Sequence, residues 1–417
     1  MRVIPSACLA LAVASLVLFP KAAAAQAQPD ARALQEQIDQ LKKEFGERIA
    51  ALEAKLATAS AAPVQAVTPA AVSAPEAAPI VQAPASAAKV FNPDMAVIGN
   101  FLGAAGRNTV NPSPALQMKE AEASFQAVVD PYARADFFMS FGEEGVELEE
   151  GFITLTELPG QLQAKAGKMR AAFGKVNTLH THAVPWADRP LVTQNLVGGE
   201  EGISDAGVSL ARLIPNPWIF LEATGQVFRG DAAGGELYKS STPGDLSYVG
   251  RLRGYHDLTE STNLDLGFSI SHGHNASGVV DDIDIGRYTT QLYGFDATLR
   301  WRPLARAIYH QFVARSEMVW SHRDQPNGLQ QASGLYVSAD YQFARRWFGG
   351  GRLDWSDHAD EASVRDRGQS FVLTYLPSEF SQLRGQYRRT AYGNGPVANE
   401  FLMQLQFAIG AHGAHPF

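Results

Sequence analysis

From Val90 onward, apolar and polar residues alternate with a period of two. Leu264, Leu266, Phe268 and Ile270 interleave with Asp265, Gly267, Ser269 and Ser271. Phe295, Ala297, Leu299 and Trp301 interleave with Asp296, Thr298, Arg300 and Arg302, and Leu335, Val337, Ala339, Tyr341 and Phe343 with Tyr336, Ser338, Asp340 and Gln342. Successive side chains of a strand point to opposite faces, so each segment predicts a strand with one dry and one wet side. The pattern predicts sixteen strands, at 95–104, 116–129, 132–141, 147–157, 161–173, 203–214, 217–229, 245–256, 262–274, 288–302, 307–321, 332–343, 347–356, 367–376, 381–391 and 399–410.

A soluble sandwich alternates in the same way, so the placement of the strands has to decide between sandwich and barrel. Every second connection is a tight turn, among them Asp130-Pro131, Leu158-Pro159-Gly160 and Pro215-Asn216-Pro217, and the intervening ones are mostly longer. Short turns at one end, long loops at the other and an even strand number are the pattern of an outer-membrane barrel, and this parity leaves both barrel ends on the periplasmic side. Trp218, Trp301, Trp320, Trp347 and Trp355 fall near strand ends, where interfacial girdles lie. Phe401, Met403, Leu405, Phe407 and Ile409 face one way in the last strand, and Gln404 and Gln406 the other. That strand resembles the closing strand of bacterial outer-membrane barrels, with Phe407, Ile409 and the terminal Phe417 as its assembly signal. The expected fold is all-β, a transmembrane antiparallel barrel of about 16 strands over 90–417, preceded by an N-terminal α-helical coiled coil.

The residues before the barrel divide into three zones. Arg2, the apolar stretch Cys8–Phe19 and the alanines that follow predict a cleavable secretory signal over 1–25. Cys8 is the single cysteine, so the mature chain has neither disulfides nor thiol chemistry. Residues 30–57 place Leu34, Ile38, Leu41, Phe45, Ile49, Leu52 and Leu56 at steps of four and three, two eleven-residue repeats that favour a nearly straight coiled coil and hence an oligomer. An amphipathic helix lying on another surface is the alternative. Residues 58–89 are an Ala/Pro-rich linker. The net charge of −8 argues against nucleic acid as a partner.

Candidate chemistry lies in the longest connection and on the polar face of the strands. The connection 174–202 carries His180, His182, Trp186, Asp188 and Arg189, with prolines and a tryptophan suited to packing on something. It either narrows the lumen or folds as a lid over the rim. Arg251, Arg253, Arg300, Arg302, Arg352, Arg384 and Arg388 share the inward parity. Unpaired in the lumen, they would favour anions; placed near the rims, or paired with inward acids such as Asp265, Asp296, Asp340 and Asp354, they would not. The acidic run Glu143, Glu144, Glu147, Glu149 and Glu150 reads as a solvated rim, bridged by divalent ions to lipopolysaccharide, rather than as a catalytic carboxylate pair. Histidines occur in close pairs, His180 with His182, His272 with His274, and His412 with His415. Residues i and i+2 of a strand point the same way, so a pair could share Zn²⁺, and His180, His182, His272 and His274 are the candidates. They read first as polar rim residues, and no metal or cofactor is assigned. No Gly-rich phosphate loop, HExxH or GxSxG argues for an enzyme.

Three segments of 119–231 resemble the phosphate-selective porin O and P family. These are Ala123–Phe141, the run Ala164-Lys165-Ala166-Gly167-Lys168-Met169-Arg170 with Phe173-Gly174, and Leu179–Val192. The Gly-Ala-His-Gly-Ala-His-Pro-Phe ending is similar to that of uncharacterised outer-membrane relatives. The resemblance implies a sixteen-stranded homotrimeric porin without fixing its solute. The chain therefore reads as an outer-membrane porin for passive diffusion of small solutes or ions, with lipid and lipopolysaccharide around it and its N-terminal segment in the periplasm. The alternatives are an anchor that tethers the membrane to peptidoglycan or a periplasmic partner through the coiled coil, and a metal-linked channel.

Overall fold

The computed structural model describes residue 43 and residues 93–142, 145–233, 237–280, 283–284 and 287–410. The signal, coiled-coil and linker zones, Glu143, Glu144, His412, His415 and Phe417 lie outside the described residues, residue 43 of the coiled-coil zone apart. The wall is built from β1 (Asp94–Arg107), β2 (Leu116–Asp130), β3 (Ala133–Gly142), β4 (Gly145–Leu158), β5 (Leu162–Arg170), β6 (Ser204–Leu213), β7 (Phe220–Phe228), β8 (Ser247–Thr259) and β9 (Thr262–Asn275). After a small hairpin, β10 (Val279–Val280) with β11 (Ile283–Asp284), it continues through β12 (Tyr288–Trp301), β13 (Gln311–Arg323), β14 (Gln330–Ala344), β15 (Trp347–Asp357), β16 (Arg365–Ser378), β17 (Ser381–Ala391) and β18 (Val397–Gly410). Each wall strand pairs with its neighbours in sequence order, and β1 pairs antiparallel with β18, closing a sixteen-strand barrel. All sixteen strands read from the sequence are present. The largest shift at a strand start is in β13, which begins at Gln311 because residues 302–310 form a longer turn.

Lipid offers no hydrogen bonds to backbone amides, so a sheet that presents an apolar outer face has to close on itself. The outer face is apolar: Phe401, Met403, Leu405, Phe407 and Ile409 of β18 are exposed, while Leu402, Gln404 and Gln406 between them are buried. The same holds for Leu266, Phe268 and Ile270 on β9 and Phe371 and Leu373 on β16. A continuous apolar band of this kind is incompatible with a solvated monomer surface and matches a lipid-facing wall. At the closing seam Gly99 stands opposite Phe407, and a Cβ at Gly99 would collide with the Phe407 ring. The aromatic ring covers the bare glycine backbone and fixes the β1–β18 register.

Side-chain oxygens build the short turns. Asp130 accepts from the Tyr132 amide at 2.8 Å, and Asn216 accepts from the amides of Trp218 and Ile219 at 3.1 and 3.0 Å. Such Asx turns hold the chain reversal while the flanking strands keep register. Both barrel ends lie at this short-turn rim. Phe268→Arg, on the lipid face in the middle of β9, is expected to destabilise the folded barrel by about 2–4 kcal/mol. Denaturant titration in lipid vesicles measures this, and an unchanged midpoint would mean that the face does not meet lipid.

Candidate functional site

The connection between β5 and β6, residues 171–203, lies inside the barrel and spans it. Its neck is closed by Ala171 N donating to Ile203 O at 2.8 Å, and by Asn177, which donates to Ala171 O and Ile203 O and accepts from Ile203 N. Beyond the neck, the amides of Lys175 and Val176 donate to Glu317 Oε2 of β13 at 2.9 and 3.1 Å. Gly174 has φ +58°, and a Cβ there would collide with Glu317, so only glycine permits this approach. Lys175 Nζ reaches Asp265 of β9 at 3.3 Å.

Further along, the loop meets the opposite wall. Asp188 is held by Arg352 of β15 at 3.0 Å and by Arg388 of β17 at 2.9 Å. Gln386 Nε2 donates to Asp188 at 2.6 Å and Gln386 Oε1 accepts from Ala187 N at 2.8 Å. In the ring of sixteen, β15 is eight strands from β5, so this contact crosses the barrel. Burial alone would raise the Asp188 carboxyl, but the Arg352 and Arg388 guanidiniums outweigh it and hold the group below the usual carboxylate range. Arg352 also stacks over Trp186, 4.8 Å from the ring centre, and Trp186 meets Tyr336 edge-on with centroids 5.2 Å apart. Arg189 turns back to donate to the carbonyls of Val176 and Leu179. The short helix α1 (Leu191–Leu196) packs on β13–β16. Trp186, Val192 and Leu196 of the loop, with its Phe173, Val176 and Val184, Tyr336 of β14 and Tyr238 of the β7–β8 connection, belong to an apolar core within the barrel.

The histidine end of the loop meets the other side of the wall. His180 Nδ1 lies 2.8 Å from Glu122 of β2 and 3.1 Å from Glu149 of β4, and its Nε2 lies 2.7 Å from Glu150. His182 Nδ1 is 3.5 Å from Glu122 and 3.7 Å from Glu120. Burial discourages a charged imidazole, yet the three carboxylates dominate and push His180 up to about 11. Adjacent strand residues face opposite ways, so Glu149 and Glu150 reach one imidazole only because the β3–β4 register shifts at Glu149, where Phe138 pairs with Glu150 and Met139 with Leu148. A second register shift beside Lys119 precedes Glu120 and Glu122. A cavity of about 730 Å³ opens beside this cluster, lined by Glu120, Glu149, Lys168, Arg170, Asp188 and Arg388.

The arginines are mostly neutralised. Arg251 pairs with Asp296 at 2.8 Å and Arg253 with Asp265 at 2.8 Å, Arg352 adds Asp354 at 2.7 Å, and Arg388 adds Glu400 at 2.6 Å. Arg384 donates to Val184 O and Gln404. Arg300 faces inward near Asp265, whereas Arg302 lies beyond the end of β12, exposed in the turn. His272 and His274 take the outward parity of β9, and His274 Nδ1 bonds to Lys239 O at 2.8 Å, so they do not join His180 and His182. Glu149 and Glu150 are partly buried under the loop, unlike the solvated rim read from the sequence, while Glu147 stays exposed. Glu317, Gln386, Glu120 and Glu122 escaped the sequence reading; inward parity was their only signal, and many wall residues share it.

A closed sixteen-strand antiparallel barrel with its third long-side connection folded inside defines a porin-like fold. No protein-family model matches the chain. An uncharacterised protein of Aquifex aeolicus (strain VF5) is 28% identical over 344 residues, covering 74% of this chain and 71% of that protein. Among solved structures, an OmpT of Vibrio cholerae lacking its loop L8 superposes with TM-score 0.53 at 9% identity, over 76% of this chain and 99% of its own. An anion-selective porin from Comamonas acidovorans gives TM-score 0.53 at 10% identity over 76% and 99%, and OprB of Pseudomonas putida gives 0.53 at 8% over 77% and 95%. At these identities the likeness is one of fold.

Asp188→Asn leaves Arg352 and Arg388 short of a counter-charge and is expected to make loop opening about 3 kcal/mol easier. Protease cleavage within 174–202 should then rise roughly a hundredfold. The wild-type contribution of Asp188 is present above about pH 4 and is lost as the pH falls through its lowered folded value. Cleavage by an acid protease should therefore increase on acidification in the wild type, and the part due to Asp188 should be absent in Asp188→Asn.

Proposed function

We propose that the chain is an outer-membrane porin in which small solutes diffuse passively through a lumen narrowed by the loop 174–202. The observation that carries this reading is the loop's crossing from β5 to β15 and β17 inside a closed barrel whose inward face is polar. In this reading solutes pass at the flanks of the loop, where width and charge set what passes. The paired arginines weaken the case for anion preference, because each neighbouring carboxylate cancels much of the field that would draw an anion. A homotrimer in lipid and lipopolysaccharide fits this class, and one fold neighbour, OmpT of Vibrio cholerae, is described in a trimer form. Membership of the phosphate-selective O and P family rests on the wall and loop segments that resemble it.

The second reading is an anchor, with the barrel holding residues 30–57 for a peptidoglycan or periplasmic partner. The apolar core inside the barrel favours it, since a packed interior is an obstacle to flux. Planar-bilayer conductance separates the two. The porin reading predicts stepwise openings, larger in Asp188→Asn than in the wild type, with a reversal potential near zero in a salt gradient. Silence of both proteins across a wide voltage range would reject diffusion and favour the anchor.

A further inference from the structure

We propose that Glu122, Glu149 and His180, with Glu120 and His182 adjoining, form a binding site for one divalent cation of the Zn²⁺ class that ties the inner loop to the barrel wall. Two overlapping groups of donor atoms, Glu120–Glu122–His182 and Glu122–Glu149–His180, each gather within 4.8 Å and share Glu122. The separations, from 2.8 to 3.7 Å, bracket the edge of about 3.3 Å expected for a tetrahedron with Zn–N and Zn–O bonds near 2.05 Å. One imidazole and two or three carboxylates are a donor set that suits zinc, and mixed nitrogen and oxygen donors select against magnesium and calcium.

An independent observation points the same way. Glu120 is 5% exposed, and both of its carboxylate oxygens are buried without a hydrogen bond. Glu122 Oε2 is likewise buried, and it meets His180 Nδ1 at 2.8 Å and His182 Nδ1 at 3.5 Å as an ion-pair contact whose alignment does not make a hydrogen bond. Buried carboxylate oxygens left in this way are costly unless a cation meets them. Four carboxylates, those of Glu120, Glu122, Glu149 and Glu150, converge here on the His180 and His182 imidazoles and on Arg170, which pairs with Glu149 at 3.2 Å, so the acids outnumber the bases. Glu150 at His180 Nε2 occupies the place of an orienting carboxylate, holding a proton on Nε2 and leaving Nδ1 for the metal. On binding, His180 releases its Nδ1 proton. Both register shifts described above serve this cluster, and the adjacent cavity gives an ion a path to it.

The inference does not rest on the diffusion reading, because binding is read on the full-length protein in detergent. After chelator treatment and dialysis, Zn²⁺ is titrated calorimetrically, and X-ray absorption at the zinc edge is recorded on the wild type. The expected result is one ion per chain in a nitrogen- and oxygen-containing shell at about 2.0–2.1 Å with an imidazole signature. Glu122→Gln and His180→Gln should each weaken binding at least tenfold, and Glu150→Gln should weaken it through orientation alone, while His272→Gln should leave it unchanged. Absence of saturable binding, a shell without imidazole, or full affinity in Glu122→Gln and His180→Gln would overturn the proposal. If those two variants do not fold, the wild-type shell together with Glu150→Gln decides.

Discussion

A bilayer core offers the backbone no hydrogen-bond partner, and this constraint organises the barrel. It requires β1 to find β18, and that closure creates an enclosed interior whose polar groups must be satisfied from within. A long connection placed there brings its own amides and carbonyls. The wall supplies partners at fixed points: Glu317 for the amides after Gly174, Gln386 for Ala187, and Arg384 for the carbonyl of Val184. Asp188 is the farthest of these contacts from the loop's origin. Two guanidiniums and a glutamine amide surround it, so its buried charge is compensated and the loop is fixed across the barrel.

Among the described residues, much of the charge on the inward wall is balanced in short-range pairs, whereas around His180 it is not. Arg251, Arg253 and Arg315 each face an aspartate, and the Arg352–Asp188–Arg388–Glu400 chain alternates in sign. Around His180 the acids outnumber the bases. The same loop is thus held by a balanced network at β15 and β17 and by a cation-seeking cluster at β2 and β4. A metal ion there would add a fixed point on the β2–β4 side to those that Glu317, Gln386 and Asp188 make elsewhere on the wall.

The barrel was legible in the sequence because its outer face is uniform: strand after strand carries apolar residues at every second position, and the turns carry Asp, Asn, Pro and Gly. The contents of the interior were less legible. Asp188, Arg352 and Arg388 were each recognisable as interior candidates, but nothing in the spacing of residues 188, 352 and 388 says that they meet; the β15 register and the loop's path decide it. The cluster at His180 was obscured for a different reason. Strict alternation puts Glu149 and Glu150 on opposite faces, and only a β-bulge turns both inward. Arg302 shows the converse, since alternation extends one residue past the real end of β12. His272 and His274 share a face as read, but it is the outward one.

The central claim is that the loop lies within the barrel and is fixed to the far wall rather than folded over the rim. Hydrogen–deuterium exchange of the full-length protein in lipid vesicles, comparing the wild type with Arg352→Ala, tests it most directly. The account predicts that amides of the loop, among them Lys175, Val176 and Ala187, exchange as slowly as barrel strands in the wild type. Protection around Ala187 should fall in Arg352→Ala while that of β15 persists. Rapid exchange across the loop in the wild type, or protection indifferent to Arg352, would contradict it.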